Sequence, residues 1–141
     1  MKVEFIFSEF GLRTTANQPG GFTDEFRLDP TYSSVKQFFP DAKLTLYTDR
    51  EELATNYSDV EVRLVDIDNS PFTKSNHRWG WHCCDYYEAK GLLNSDADIA
   101  ISVDSDLMFV SDEVRTLLLI TDKFGLCVPT NERQMVKVDG I

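Results

Sequence analysis

The segment Ile99–Val110, IAISVDSDLMFV, places two carboxylates one residue apart in the most apolar part of the chain. Ile99 to Val103 is an apolar, β-branched run of strand length. It stops at Asp104-Ser105-Asp106, and hydrophobicity resumes with Leu107, Met108, Phe109 and Val110. Uncompensated charges are costly to bury. The aspartates therefore either face water at a strand end or sit against something cationic.

Outward from this segment, strands and helices alternate. Val3 to Phe7 reads as a first strand, followed by a polar loop, SEFGLRTTANQPGGFTDE, at 8–25. Asp29 followed by Pro30 predicts a helix start, an N-cap and then proline at the first helical position. Tyr32, Val35, Phe38 and Phe39 give that helix an apolar side, and Pro40 ends it. KLTLYTD (43–49) predicts a second strand with Leu44, Leu46 and Tyr47 buried; Asp49 and Glu52 fit a capping box for a short helix. VEVRLVDI (60–67) predicts a third strand whose covered face carries Val60, Val62 and Leu64.

Arg78 to Leu93 predicts a longer helix with Trp79, Cys83, Tyr86, Tyr87 and Leu93 in one stripe, flawed by Lys90 unless its stem snorkels. ADIAISV (97–103) is the fourth strand. Ser111 suits the cap of a last helix, with Asp112 and Glu113 in its first turn. FGLCVP (124–129) reads as a fifth strand. The alternation predicts one α/β domain over residues 1–141, a three-layer α/β/α sandwich on a mainly parallel sheet. Ligands of such sheets sit outside the carboxyl ends of the strands. Asp49, Asp104 and Asp106 all fall there, on one edge of the sheet.

Composition narrows the function. A 42% apolar content supports a packed core. Asp plus Glu outnumber Lys plus Arg by 24 to 14, a net charge of -10 that speaks against nucleic-acid binding. A small polyanion would need local cations or a metal ion. No apolar run approaches the ~20 residues of a membrane span, and MKVEFIFSEF is too charged for a signal peptide. A cytoplasmic protein, or part of a longer one, is expected. Cys83, Cys84 and Cys127 do not form the even set of a disulfide framework.

In an extended segment residues i and i+2 point the same way. Asp104 and Asp106 would then project together and repel unless a cation joins them. Mg²⁺ or Mn²⁺, hard ions with oxygen ligands, suit the pair and would keep positions open for a diphosphate. An isolated Asp-x-Asp is most often a solvated turn; the apolar runs on both sides favour the metal reading here.

The stretch SDADIAISVDSDLMFVSD (95–112) resembles the Asp-x-Asp region of nucleotide-sugar-dependent glycosyltransferases of the GT-A fold, where the motif follows the fourth strand. FFPDAKLTLYTD (38–49) is similar to the second-strand region of the same enzymes. The resemblance implies sugar transfer from a nucleotide diphosphate donor, a UDP-sugar foremost, to an acceptor it leaves open. It implies Asp104 on the ribose or metal and Asp106 on the metal. Asp49 would lie near the base, the loop from Ser8 through Thr14 to Thr15 beside the nucleotide, and Arg78 within reach of diphosphate or base. Catalytic domains of this kind continue well past the motif, whereas only residues 107–141 follow Asp106. The chain thus reads as the donor-binding part, either a piece of a longer protein or one completed by a second copy or a partner subunit.

Other readings compete. A nucleotide-sugar-binding or interaction module without catalysis fits the short region after the motif. A haloacid dehalogenase-type phosphatase also uses Asp-x-Asp after an apolar strand, but there the motif opens the domain. His82, Cys83 and Cys84 lack the second cluster a zinc site needs; Cys83 suits the core and Cys84 a half-exposed position. Trp79 fits the core and Trp81 another surface or a sugar or base. Lys74, His77 and Arg78 form a modest basic cluster near the proposed edge. PGG (19–21) lacks the lysine and spacing of a phosphate loop.

Overall fold

The computed structural model describes residues 1–10, 28–67, 71, 79–105 and 107–125, the side chains of Ala54, Trp79 and Trp81 excepted. Within the compact unit Met1–Ser111 the order is β1 (Val3–Glu9), α1 (Leu28–Phe38), β2 (Lys43–Thr48), α2 (Leu53–Asn56), β3 (Val60–Leu64), α3 (Trp79–Asn94) and β4 (Ile99–Ser102). The four strands form one parallel sheet in the order β3-β2-β1-β4. This is an α/β arrangement compatible with a Rossmann-like fold. Among the described residues, no helix is long and apolar enough to cross a membrane.

Strand β1 lies between two partners, and every residue from Glu4 to Phe10 is buried. Alternation sends its side chains to two differently built faces. On one, Phe5 packs on Phe39, just past α1, with ring centroids 5.1 Å apart, and on Phe109 at 5.8 Å. On the other, Ile6 and Phe10 join Tyr47, Ile67, Cys83 and Tyr87 in the core under α3.

Helix α3 meets the sheet through a narrower face than its sequence suggests. Cys83, Tyr87 and Gly91, spaced by four, are buried, whereas Leu93 is 86% exposed and Tyr86 is exposed too. A Cβ at Gly91 would lie 2.6 Å from Ile6 Cγ2 and 3.0 Å from Tyr47 Cε2. The missing side chain is what lets the helix backbone approach β1 and β2. Lys90 stays exposed and sets its ammonium 5.8 Å from the Tyr87 ring centroid.

Several expected caps are replaced. Asp29 lies inside α1, which begins at Leu28, and its carboxylate accepts a hydrogen bond from the Tyr57 hydroxyl. Glu52, the N-cap of α2, is itself helical in backbone and makes no side-chain cap bond; i→i+3 bonds from Leu53 to Arg50 and from Thr55 to Glu52 tighten the entry instead. Leu64, the last residue of β3, is 54% exposed rather than buried, whereas Val60 at the start of the same strand is buried.

In the unit Asp112–Ile141, helix α4 spans Val114–Phe124. Glu113 occupies its N-cap position without a side-chain cap, and the opening turn is made by Arg115 N–H on Asp112 O and Thr116 N–H on Glu113 O. The helix ends at Gly125, whose φ of 83° and N–H to Thr121 O form a left-handed cap. Phe124 and Gly125 therefore belong to a helix end rather than to a fifth strand; residues 126–129 lie outside the described residues.

Near the amino end of β1, the buried Glu4 accepts from Thr45 Oγ1 at 2.5 Å, from Lys43 Nζ at 3.0 Å and from the Ser95 hydroxyl. Burial alone would raise its carboxyl, but these three hydrogen bonds and the Lys43 charge bring it below the ordinary value. A depressed carboxyl stabilises the fold above its unfolded pKa, and that contribution is lost as pH falls through the folded value.

Two outcomes follow. Glu4→Gln lowers unfolding free energy at pH 7 by about 1–3 kcal/mol, and urea titrations at pH 7 and pH 3 show the gap to wild type narrowing in acid. Gly91→Ala, which would gain about 1 kcal/mol in an exposed helix, lowers the thermal midpoint here; a raised midpoint would contradict the close approach over Ile6.

Candidate functional site

The sheet order contains one reversal. The chain runs from β1 outward through β2 to β3, then returns to place β4 on the other side of β1. In parallel sheets such a switch leaves a crevice at the carboxyl ends of the two strands, the usual ligand address. Here those ends are Ser8 and Glu9 of β1 and Ser102 of β4, followed by Val103 and Asp104.

On the α3 face of the crevice, Glu88 receives Ser8 Oγ at 2.5 Å on one carboxylate oxygen and the Ser102 hydroxyl on the other. One helix side chain thereby bridges the ends of both strands. Burial raises the Glu88 carboxyl; the hydrogen bonds from Ser102 and Ser8 oppose this, and the charges of Asp104 and Asp85 add to it. On the α1 face, Glu9, itself buried, accepts from Ser105 Oγ at 2.5 Å. Cys84 is half-buried beside this network. Burial pushes its thiol up to about 12; Ser8 pulls it down, and the Glu88 and Glu9 charges raise it further. At neutral pH it is a thiol and a poor nucleophile.

Asp104 is exposed at this rim. The backbone beyond it does not continue as a strand. Leu107 N–H donates to Asp104 O at 3.2 Å, closing a turn across residues 104–107. Asp106 lies outside the described residues. Asp49, also exposed, follows the end of β2, so it shares the carboxyl edge but is one strand removed from the reversal. Ser8 is buried at the reversal itself. Thr14, Arg78, Lys74 and His77 lie outside the described residues, as do Cys127 and the side chains of Trp79 and Trp81.

What the described rim offers a cation is the exposed carboxylate of Asp104. Among the described residues, no group of three His, Cys, Asp or Glu side chains is arranged to hold a metal ion.

Glu9, Glu88, Ser102 and Ser105 are the crevice residues that motif reading passes over. Their signal was available. Glu88 is an acid four residues from Cys84 and next to the buried Tyr87, and Ser102 of β4, paired with Ile6, lies on the same face of the sheet as Ser8 of β1.

The Glu88 environment has a measurable consequence. Carbon-detected NMR titration gives Glu88 a midpoint above the ordinary 4.5 of a glutamate, and Asp104→Asn brings it down while burial keeps it raised. Since folding raises this carboxyl, protonating it favours the folded state, and Glu88→Gln gains stability relative to wild type at neutral pH but not in acid.

No protein-family model, curated protein or solved structure matches this chain.

Proposed function

We propose that this chain is the donor-binding part of a metal-dependent glycosyltransferase of the GT-A kind, taking a nucleotide diphosphate sugar, UDP-sugars foremost. The observation that carries the reading is the coincidence of Asp104 with the strand-order reversal between β1 and β4. An acidic motif elsewhere on the surface would have no such address.

In this reading Asp104 and Asp106 hold Mn²⁺ or Mg²⁺, Ser8 and Thr14 border the nucleotide, Asp49 lies toward the base, and Arg78 reaches the diphosphate. The divalent ion would neutralise charge on the departing diphosphate. The protein's own part is to hold the donor at the crevice and keep it oriented. Glu9, Glu88 and Asp104 make the described crevice acidic, so a bare diphosphate would be repelled and a bridging cation is needed.

A binding module without transfer is the second reading. It is favoured by one observation: Glu88 and Glu9 both take up serine hydroxyls, a positioning arrangement rather than that of a poised base.

The test is a thermal-shift panel of UDP-glucose, UDP-galactose, UDP-N-acetylglucosamine and GDP-mannose, each with and without Mn²⁺. Ligand at about 100 times its Kd stabilises by about 2.7 kcal/mol. A UDP-sugar with Mn²⁺ raises the midpoint, neither does so alone, and Asp104→Asn or Asp106→Asn removes the rise. Absence of any Mn²⁺-dependent shift across the panel refutes the donor-binding role, and release of free sugar or transfer to an acceptor separates the enzyme from the module.

A further inference from the structure

The buried face of α1 carries two hydroxyls where an amphipathic helix ordinarily carries hydrocarbon. Thr31 is 0% exposed and Ser34 is 5% exposed, and their spacing of three puts them on one side of the helix. Neither hydroxyl serves the sheet. Thr31 Oγ1 faces two backbone carbonyls of the segment after Asp104, its one proton shared between Ser105 O at 2.6 Å and Leu107 O. Ser34 Oγ accepts the Phe109 N–H at 3.0 Å and donates to Thr31 O at 2.9 Å.

Alternate residues of the segment are tied down. Val103 N–H donates to Ile6 O at 3.0 Å. Ser105 is held through its carbonyl by Thr31 and through its hydroxyl by Glu9, Leu107 through its carbonyl, and Phe109 through its N–H and a ring set against Phe5 and Phe39. Of the described residues between them, Asp104 and Met108 are exposed, as is the side chain of Leu107. Irregular backbone after a strand is ordinarily the least constrained part of an α/β fold. Here it is fixed by helix side chains at nearly every second residue.

We propose that Thr31, with Ser34, is a positioning residue for the Asp104 turn: α1 sets the geometry in which that carboxylate meets a divalent cation carrying a nucleoside diphosphate. The inference rests on the donor-binding reading. It adds that affinity is set by a helix hydroxyl with no ligand contact assigned to it. Sites tolerate little misplacement of their ligands, and their supporting hydrogen bonds carry affinity out of proportion to their stability.

Thr31→Val keeps the β-branched shape and removes the hydroxyl, and Thr31→Ser keeps the hydroxyl and removes a methyl. Calorimetry of UDP with Mn²⁺ is expected to show affinity falling by about tenfold or more in Thr31→Val and returning to within a few-fold of wild type in Thr31→Ser. In ligand-free protein, amide exchange at Leu107 and Phe109 is expected to quicken in Thr31→Val while α3 is unchanged. Ser34→Ala provides a second route should Thr31→Val not fold, quickening Phe109 exchange and weakening UDP–Mn²⁺ binding likewise. Faster exchange with wild-type affinity overturns the positioning role, and unchanged exchange overturns the clamp itself. Wild-type protein that binds no UDP with Mn²⁺ overturns the donor-binding reading and the positioning role with it, while the exchange measurement still reports on the clamp.

Discussion

Strand β1 has hydrogen-bonded neighbours on both sides and covered side chains on both faces, and the rest of the unit is arranged around that constraint. A strand so placed has no solvent to accept a misfit. Phe5 and Phe7 must fill one face and Ile6 and Phe10 the other, and the polar residues among them need built partners. The same double pairing creates the functional geography. Because β2 and β4 both claim β1 as neighbour, the chain must reverse its strand order there, and the reversal opens at Ser8, Glu9 and Asp104.

Two glutamates show how differently the ends of the sheet are treated. Glu4 and Glu88 are both withdrawn from water, yet their carboxyls move in opposite directions. At the amino end an ammonium and two hydroxyls surround Glu4, and the charge is stabilised in place. At the carboxyl end Glu88 takes two serine hydroxyls but shares its neighbourhood with Asp104 and Asp85, so its charge is opposed. The first is a structural solution to a buried charge. The second leaves acidic side chains close together at the ends of β1 and β4.

The alternation of elements was legible in the chain because each strand is a short apolar run and each helix a differently patterned one. Leu44, Leu46 and Tyr47 are buried in β2, and Cys83 is in the core. What failed were features decided by neighbours. Leu93 has the periodicity of a buried residue but is exposed, since Gly91 draws α3 onto β1 and β2 along a narrower line. Asp29 has the composition of a cap, yet it lies within its helix, and Glu52, expected in the first turn of α2, stands at its N-cap position. Thr31 and Ser34 carried a readable signal, hydroxyls three apart on the apolar side of a helix, but their partners are backbone groups more than seventy residues away.

The sequence by itself determined the local states: which runs extend, which coil, and that an acidic motif ends the last of the described strands. These follow from side-chain shape and periodicity, which act over a few residues. Only the tertiary structure decided that β4 returns beside β1, that Glu88 bridges the two strand ends, and that α1 clamps the turn after Asp104. Those are contacts between distant segments, fixed by the need to bury both faces of one strand and to give each buried polar group a partner, a requirement no local window of sequence contains.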